Sequence, residues 1–403
     1  MNFLTKFSQF GVRATGRYEF LGVSSHMKND SRSSSDDVRF LTKIDPSSMK
    51  KGKGGRSSFS GVVATVFGAT GFMGRVLCNR LGKTGTQMII PYRGDYYFVK
   101  HLKLMGDLGQ VMFLPYNLLD EDSIRKAVKY SNAVINLVGR DYESRNFDFH
   151  KVHVEGARRI ARISKEMGVE KFIHLSALNS NVEHEGYMKD GGSGFLRTKG
   201  ESEDAVKEYY PDAIIFRPSD CWGQHDRFLF YYCRYFRYSW KAMPLPYAGK
   251  GIFKQPVYVG DVVNGIVNAL YDHQAVGHTF EAVGPRRYEL CELVDWFNRV
   301  MRRDGEWEYH RTDFRWAPFA RLKVRLNDHN PSNPITNFCS DKVEREAVTD
   351  TVFDLPNLED LGVTLTLLED RIKYELKQFQ FEAYYKESVG EYDEPAPPKY
   401  VDT

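Results

Sequence analysis

The 403-residue chain has no apolar run approaching the roughly 20 residues needed to cross a bilayer, no cysteines at metal-binding spacing and no large excess of one charge. Its five cysteines are widely spaced and include no Cys-x-x-Cys pair, which argues against a disulfide framework or a zinc ribbon. The formal net charge of +3 gives no general reason to bind nucleic acid. We therefore expect a soluble or peripheral protein of a reducing compartment, longer than one ordinary domain.

Metal-ligand groupings are missing from the sequence as well. His150 and His153 are three residues apart in a segment with helical periodicity, but no third ligand accompanies them. Structural zinc sites need four protein ligands and catalytic ones usually three, so we predict no metal site.

What the chain does contain is a strand, a glycine-rich turn and a helix in immediate succession. Residues 62–67 form a β-branched apolar run typical of a buried parallel strand, and residues 75–81 have helical periodicity. In this context a Gly-x-x-Gly-x-x-Gly turn permits close approach of a pyrophosphate to the backbone at the helix N-terminus. We predict a dinucleotide site, with a purely structural turn as the alternative. The turn comprises Gly68, Ala69, Thr70, Gly71, Phe72, Met73 and Gly74.

The second strand, predicted at residues 87–92, bears on which nucleotide is bound. It ends at Arg93, where dinucleotide folds place the side chain that faces the adenosine ribose. An acidic residue there would bind the 2′-hydroxyl of NAD, whereas arginine suits the 2′-phosphate of NADP. Asp95 is a competing candidate, and a solvated loop cation is the structural alternative for Arg93. We favour NADP(H); FAD uses related folds but fits Arg93 less well.

Strands and helices alternate through about residue 283, which predicts a Rossmann-type, doubly wound parallel α/β sheet with a smaller C-terminal α/β portion. Further strands are predicted at residues 111–114, 133–138, 171–176, 213–216 and 279–283, with helices at 122–130, 147–167, 201–209 and 365–384. Asn117 and Leu118 follow the third strand, where adenine would lie. Val138, Gly139 and Arg140 follow the fourth, where a glycine would let the backbone pass close to the cofactor.

The two ends of the chain differ from this core. The first residues, MNFLTKFSQFGVRATGRY, are basic, acid-poor and amphipathic, as in a mitochondrial transit peptide; a disordered tail is the alternative. We expect residues 1–55 to be a transit peptide and linker, 56–290 an NADP(H)-binding domain, and 291–403 a helical and irregular docking region. Residues 299–325 are rich in Arg and Trp but interrupted by acids, so an anionic membrane surface, a partner or solvent could face them.

An ordered set of motifs resembles the extended and atypical short-chain dehydrogenase/reductases between about residues 61 and 285. These motifs are Gly68–Gly74, Asn136–Gly139, His174–Ala177, Arg217–Ser219 and Pro256–Val262. A second set is similar to one branch, the NADPH-binding accessory subunits of mitochondrial respiratory complex I. That set comprises Lys53–Ser58, Ile89–Gly94, Met105–Gln110, Val134–Asp141, Asn146–Phe149, Asp226–Leu229 and Asp341–Arg345. The resemblance is weak over residues 299–337 and over the first fifty.

The resemblance also exposes a missing catalytic residue. Active members use a serine to polarise a carbonyl, a tyrosine to move the proton and a lysine four residues later to lower the tyrosine pKa. Ser176 and Lys199 match the serine and the lysine, but the tyrosine position is Phe195, which has no proton to give. Tyr187 cannot replace it, because the residue four positions later is Gly191. We predict no catalytic residue; Ser176, Lys199 and the Pro218 that follows the sixth strand are left to hold the cofactor.

The resemblance implies a non-catalytic accessory subunit of NADH:ubiquinone oxidoreductase. It would lie peripherally on the matrix side of the inner mitochondrial membrane, near the quinone site where the hydrophilic and membrane arms meet. Its contacts would be other subunits and inner-membrane lipid, not nucleic acid, and its NADPH would support assembly and stability. Two alternatives stay open. One is an active NADP-dependent reductase or dehydrogenase on a lipid-like or quinone-like substrate; the other is a regulator that senses the NADPH/NADP ratio.

Overall fold

The apolar strand before the glycine turn lies in the middle of a seven-stranded sheet. The computed structural model describes residues 50–182, 185–238, 241–303, 310–330, 337–381 and 393–401. The predicted transit peptide therefore lies outside the described residues. All five residues of the central strand are buried, as its β-branched sequence VATVF predicts. Its one polar side chain, Thr65, donates its hydroxyl to the backbone oxygen of Ala127 at 2.9 Å.

The main sheet is parallel in every pairing, with the order β3-β2-β1-β4-β5-β6-β11. This order reverses direction at β1, and such a switch point opens a crevice at the carboxyl ends of the strands. The strands are β1 (Val63–Phe67), β2 (Gln87–Tyr92), β3 (Val111–Pro115), β4 (Ala133–Asn136), β5 (Lys171–Leu175), β6 (Ile214–Pro218) and β11 (Thr279–Ala282). The predicted doubly wound sheet is confirmed, and each predicted strand agrees with an observed one to within about two residues.

Helices cover both faces of this sheet. The helices α1 (Phe72–Lys83) and α6 (Val259–Tyr271) pack on one face and share one apolar core with it. On the other face lie α2 (Glu121–Val128), α3 (Gly156–Glu166) and α4 (Gly194–Tyr209). A wider π-helical turn, Lys151–Glu155, leads into α3 and displaces the register of its first residues.

The remaining elements build a smaller lobe around a second apolar core, which includes residues of the 222–252 segment as well as residues beyond 287. Its helices are α5 (Leu229–Cys233), α7 (Leu290–Val300), α8 (Pro318–Asp328), α9 (Ser340–Ala347) and α10 (Leu368–Leu376). Its strands form short sheets from β7 (Cys221–Trp222), β8 (Ala242–Leu245), β9 (Phe253–Lys254), β10 (Val257–Tyr258), β12 (Arg287–Glu289), β13 (His310–Asp313) and β14 (Tyr400–Val401). No helix in the described part of the chain is long and apolar enough to cross a bilayer.

One predicted helix is wrong in length. Residues 365–384 were expected to form a single amphipathic helix, but α10 covers only Leu368–Leu376 and is followed by the 3-10 turn Lys377–Phe379. Gln380 is then extended, and the N–H of Phe381 donates to the backbone oxygen of Met301 at 3.0 Å. The chain therefore leaves the helical path before Phe381, whose N–H pairs with a distant segment.

Candidate functional site

The glycine turn between β1 and α1 has two positions that only glycine fits. Gly68 has φ +80°, and a Cβ there would lie 2.9 Å from the backbone of Leu137, which directly follows the neighbouring strand β4. A Cβ on Gly74 would lie 2.5 Å from the oxygen of Gly68 and 2.6 Å from the Cα of Ala69. Gly71 is less constrained, with φ −70°, and it is the N-cap of α1. Because it has no side chain, the N–H groups of the first helical turn are open to an anion.

A cavity of about 270 Å³ opens beside this turn, along the carboxyl ends of β1, β4, β5 and β6. Eleven of the residues singled out from the sequence line it: Gly68, Gly71, Phe72, Met73, Gly74, Gly139, Arg140, Ser176, Phe195, Lys199 and Pro218. The location at the sheet's switch point is where α/β folds bind nucleotides.

The cavity does not reach every predicted position. Arg93 is exposed, and its guanidinium lies 5.7 Å from the ring of Phe147. Asn117 is also exposed and accepts a bond from the N–H of Leu119 at 3.1 Å, whereas Leu118 is buried in the core beneath Gly156. Ala69, Thr70 and Val138 also lie outside the cavity lining. Their contacts with a nucleotide stay predictions.

Lys199 is a buried side chain in the lining of the cavity. Its ammonium donates to the backbone oxygen of Leu175 at 2.8 Å, and a Cβ on Gly139 would lie 3.4 Å from it. Burial lowers the pKa of Lys199 to about 8, although the carboxylates of Asp141 and Glu203 oppose this shift. The glycine at 139 thus leaves room for a buried lysine beside the end of β4. That Lys199 binds a ribose hydroxyl stays a prediction.

His153 is fixed against the same loop. Its Nε2 accepts the N–H of Arg140 at 3.1 Å, so its Nδ1 carries the proton and donates to the hydroxyl of Thr198 at 3.0 Å. Burial and the charge of Lys199 lower the pKa of His153, which keeps the ring neutral. The π-helical turn places His153 here; its role is to hold the Gly139–Arg140 loop.

Ser176 is bonded away from the cavity. Its hydroxyl donates to the carboxylate of Glu203, which also accepts the hydroxyl of Ser180 at 2.9 Å. Glu203 is in turn paired with the guanidinium of Arg217 at 2.6 Å, and both side chains are nearly inaccessible. A serine that donates its proton to a buried carboxylate cannot donate it to a substrate carbonyl at the same time.

The ring of Phe195 is surrounded by other aromatic rings and by one guanidinium group. The ring is 8% exposed and meets the imidazole of His153 edge-on, with centroids 5.2 Å apart. The guanidinium of Arg345 lies 4.3 Å above it. Tyr187 does not reach this place: it is absent from the cavity lining, and its hydroxyl donates to the carboxylate of Asp313. Burial and the bond to Asp313 raise the pKa of Tyr187, which makes its hydroxyl a weaker acid.

The cavity is also lined by ion pairs that join three segments of the chain. Asp141 follows β4, Asp220 follows β6, and Asp350 follows α9. Their cationic partners are Arg345, at 3.4 Å from Asp141, Lys342, at 3.7 Å from Asp220, Lys254, at 3.5 Å from Asp350, and Arg227, which pairs with Asp141.

The ionisation of these carboxyls follows from their surroundings. Burial opposes the ionisation of Asp141, but the charges of Arg345 and Arg227 outweigh it and hold its pKa below the ordinary value. The pKa of Asp220 is lowered for the same reason by Lys342 and Lys254. For Asp350 burial prevails and raises the pKa despite Lys254. Asp141 and Asp220, which line the cavity, are therefore held as carboxylates by internal salt bridges.

Sequence reasoning missed these ion-paired residues of the cavity. Asp226–Leu229 and Asp341–Arg345 were noted only as motifs of resemblance, with no role in the site. The signal available was the spacing of Lys342 and Arg345, which are three residues apart and so share one helical face. Nothing local indicated that this face meets β4 and β6, since the partners are about 120 to 200 positions away.

Three further features concern the described residues only. No group of three His, Cys, Asp or Glu side chains there could hold a metal ion. All five cysteines are free thiols. Burial raises the pKa of Cys221, which lines the cavity, so its thiol stays protonated.

Comparison with known proteins agrees with the fold. The profile of the NAD dependent epimerase/dehydratase family matches residues 64–284, more than half of the chain. The chain is also similar to the structure of Citrobacter sp. triphenylmethane reductase complexed with NADP(H). The TM-score is 0.57 at 14% identity, over 78% of this chain and 100% of that one, and this likeness shows the fold alone. The chain therefore belongs to the NAD dependent epimerase/dehydratase family.

Its branch within the family is shown by curated relatives. Over 321 residues the chain is 50% identical to the Mus musculus NADH dehydrogenase (ubiquinone) 1 alpha subcomplex subunit 9, mitochondrial, with 79% of this chain and 80% of that protein covered. It is 36% identical to the Arabidopsis thaliana protein of the same name, with 88% of this chain and 83% of that protein covered. The chain is thus a member of the alpha subcomplex subunit 9 branch.

Proposed function

We propose that this chain is a non-catalytic accessory subunit of the mitochondrial NADH:ubiquinone oxidoreductase, complex I, and that it holds NADPH as a structural ligand. Membership is supported by the relatives, whose names assign them to that enzyme and to mitochondria. In this proposal the chain lies peripherally on the matrix side of the inner membrane. It contacts other subunits where the hydrophilic and membrane arms meet, and it also contacts lipid.

The non-catalytic part of the proposal is carried by one observation: the position of the proton donor is Phe195, with Arg345 stacked on its ring. The ring of Phe195 offers no hydroxyl, and the hydroxyl of Ser176 is bonded to Glu203. Without a general acid beside the nicotinamide, a hydride transferred to a carbonyl would leave an alkoxide with no proton source. The residues support binding and not turnover.

NADPH is favoured over NADH by Arg93, and the glycine turn supplies the site for the pyrophosphate. Bound nucleotide would stabilise the subunit by mass action, because a ligand that binds only the folded chain adds RT ln(1 + [L]/Kd) to the free energy of unfolding. This amounts to about 2.7 kcal/mol when the free ligand is at about a hundred times Kd. Such a gain is large for a chain of ordinary stability and supports a role in assembly.

The membership proposal is tested by native electrophoresis of detergent-solubilised mitochondria. The gel is probed for this chain and stained for NADH dehydrogenase activity in the same lane. We expect the chain to migrate with the large active band. If it migrated alone at low mass, the accessory-subunit proposal would be rejected. That result would favour a free reductase.

The cofactor preference is tested at Arg93. We expect Arg93→Ser to weaken NADPH binding at least tenfold, about 1.4 kcal/mol, because the charge-assisted contact with the 2′-phosphate is lost. NADH binding should not change, since NADH has no 2′-phosphate. Titration calorimetry on nucleotide-free protein measures both affinities. Arg80→Ser, another exposed arginine near the end of α1, is the control and should change neither. Equal losses for the two nucleotides would show that Arg93 does not recognise the phosphate.

The reductase alternative is tested at Phe195. We expect both the native chain and Phe195→Tyr to oxidise NADPH only at background rates with a panel of aldehydes, ketones and quinones. The tyrosine restores a hydroxyl, but Arg345 still stacks on the ring and Ser176 is still bonded to Glu203. Absorbance of NADPH follows the reaction, and its fluorescence confirms that the site is loaded. Turnover by the native chain would favour the reductase; turnover by the variant alone would show that the missing hydroxyl was the only obstacle.

A further inference from the structure

The helix α8 and the turn before it carry apolar side chains on the solvent side of the protein. Trp316 is 85% exposed, Leu326 is 65% exposed and Leu322 is 54% exposed. Leu322 and Leu326 are four residues apart and therefore lie on one face of α8. Phe319, on the same face, is also more than half exposed. We define these four residues as the α8 apolar stripe.

The opposite side of α8 is held firmly by the body of the protein. Ala320 and Val324 are buried in the core of the smaller lobe. The ammonium of Lys323 donates to the backbone oxygens of Phe236 and Tyr238, at 3.1 and 2.8 Å. The α8 apolar stripe is therefore a fixed outer surface of a docked helix and not the inner face of a helix that has come loose.

The charges around the stripe are basic. Arg321 and Arg325 lie on the exposed flank of α8, and within the described residues no carboxylate pairs with either. Neither of the two described acids nearest in sequence forms an ion pair with them. Asp313 accepts the hydroxyl of Tyr187, and Asp328 accepts the N–H of Ser340 at 3.0 Å. Asp313 is the one acid within residues 299–325 that the structure describes, and its carboxylate faces Tyr187 and not the stripe.

We propose that the α8 apolar stripe and its arginines bind the surface of an anionic lipid bilayer. This inference deepens the proposed function, on which it rests, by naming the face that meets the membrane. A helix lying flat at the interface needs an apolar face to enter the acyl boundary and basic residues at the level of the headgroups. Trp316 provides the ring that prefers this interface. The charge of Arg321 and Arg325 matches phosphate and favours lipid over a neutral protein groove.

The test is co-sedimentation of the full chain with vesicles of phosphatidylcholine, with and without phosphatidylglycerol. We expect binding to the mixed vesicles at least tenfold tighter than to the neutral ones. The double variant Arg321→Gln/Arg325→Gln should weaken binding to the mixed vesicles about thirtyfold and remove most of its salt dependence. The double variant Leu322→Ser/Leu326→Ser should weaken binding to both.

Matched controls separate this surface from general stickiness. Leu104 and Leu108 are even more exposed, at 81% and 97%, and Leu104→Ser/Leu108→Ser should bind as the native chain does. Arg80→Gln/Lys83→Gln on α1 is the control for charge. A spectroscopic readout is the shift of Trp316 emission on vesicle binding, obtained by subtracting the emission of the Trp316→Phe variant.

Each result decides the proposal. Absence of binding to anionic vesicles, or binding unchanged in both α8 variants, would overturn it. If the native chain ignored vesicles but the leucine variant left the large band on native gels, the stripe would belong to a protein partner and the lipid proposal would be rejected. The two proposals fail separately: loss of vesicle binding with co-migration intact rejects only the lipid surface, and failed co-migration with vesicle binding rejects only the membership.

Discussion

Replacing Gly74 by valine is expected to empty the nucleotide site and to destabilise the fold. The first added carbon alone would lie 2.5 Å from the oxygen of Gly68 and 2.6 Å from the Cα of Ala69, both backbone atoms. The turn and the start of α1 would have to separate, which moves the N–H groups that face the pyrophosphate. We expect NADPH affinity to fall at least a hundredfold, about 2.7 kcal/mol. The measurement is the NADPH released when purified protein is denatured.

Two further variants make this result interpretable. Gly71→Ala keeps an ordinary φ, and its Cβ would meet only the oxygen of Gly68 at 3.2 Å. It should leave the unfolding of the empty protein nearly unchanged while lowering nucleotide affinity. In Gly194→Ala the Cβ would have only ordinary contacts at 3.6 Å or more. This variant should keep both the stability of the empty protein and its affinity for NADPH. Full retention of NADPH in Gly74→Val would contradict the assignment of this turn to the pyrophosphate.

The second large effect is expected at a buried ion pair that joins α9 to the rest of the smaller lobe. The guanidinium of Arg237 is 2.7 Å from the carboxylate of Glu346, and their side chains are 0% and 1% exposed. Tyr231 donates its hydroxyl to the same carboxylate at 3.1 Å. Glu346→Ala would leave the arginine charged and buried without its partner. Removing one member of such a pair costs about 3–5 kcal/mol, and we expect a loss of that size in the free energy of unfolding.

Denaturant unfolding of the native chain and the variant, both saturated with NADPH, measures this loss. The matched control is Glu394→Ala, which removes an exposed carboxylate 2.8 Å from Lys373 and should have no measurable effect. Because α9 also supplies Lys342 and Arg345 to the cavity, Glu346→Ala should weaken NADPH binding as well. A stability equal to that of the control variant would show that α9 does not depend on this pair.

How far the sequence predicts this protein depends on the range of the interactions. The strand Gln87–Tyr92 was predicted to the residue, because a run of apolar side chains between a glycine turn and Arg93 is a local signal. The helix α4 was predicted only from residue 201, yet it begins at Gly194. Its start depends on Ser193, which caps it, and on Asp341, whose carboxylate accepts the N–H of Phe195 at 3.2 Å. That partner is distant in sequence and invisible to local pattern.

The sequence by itself determined the α/β fold, the glycine turn and the absence of a tyrosine at Phe195. These depend on residue type and on spacings within one strand–turn–helix unit, where sterics and hydrogen bonding act locally. Only the tertiary structure decided which charged side chains line the cavity and how the hydroxyl of Ser176 is bonded. The ion pairs of Asp141 and Asp220 with α9 join residues about 120 to 200 positions apart, and the hydroxyl of Ser176 is bound by a carboxylate from α4. Such pairings follow from how the helices and the lobe pack on the sheet, which no local pattern encodes.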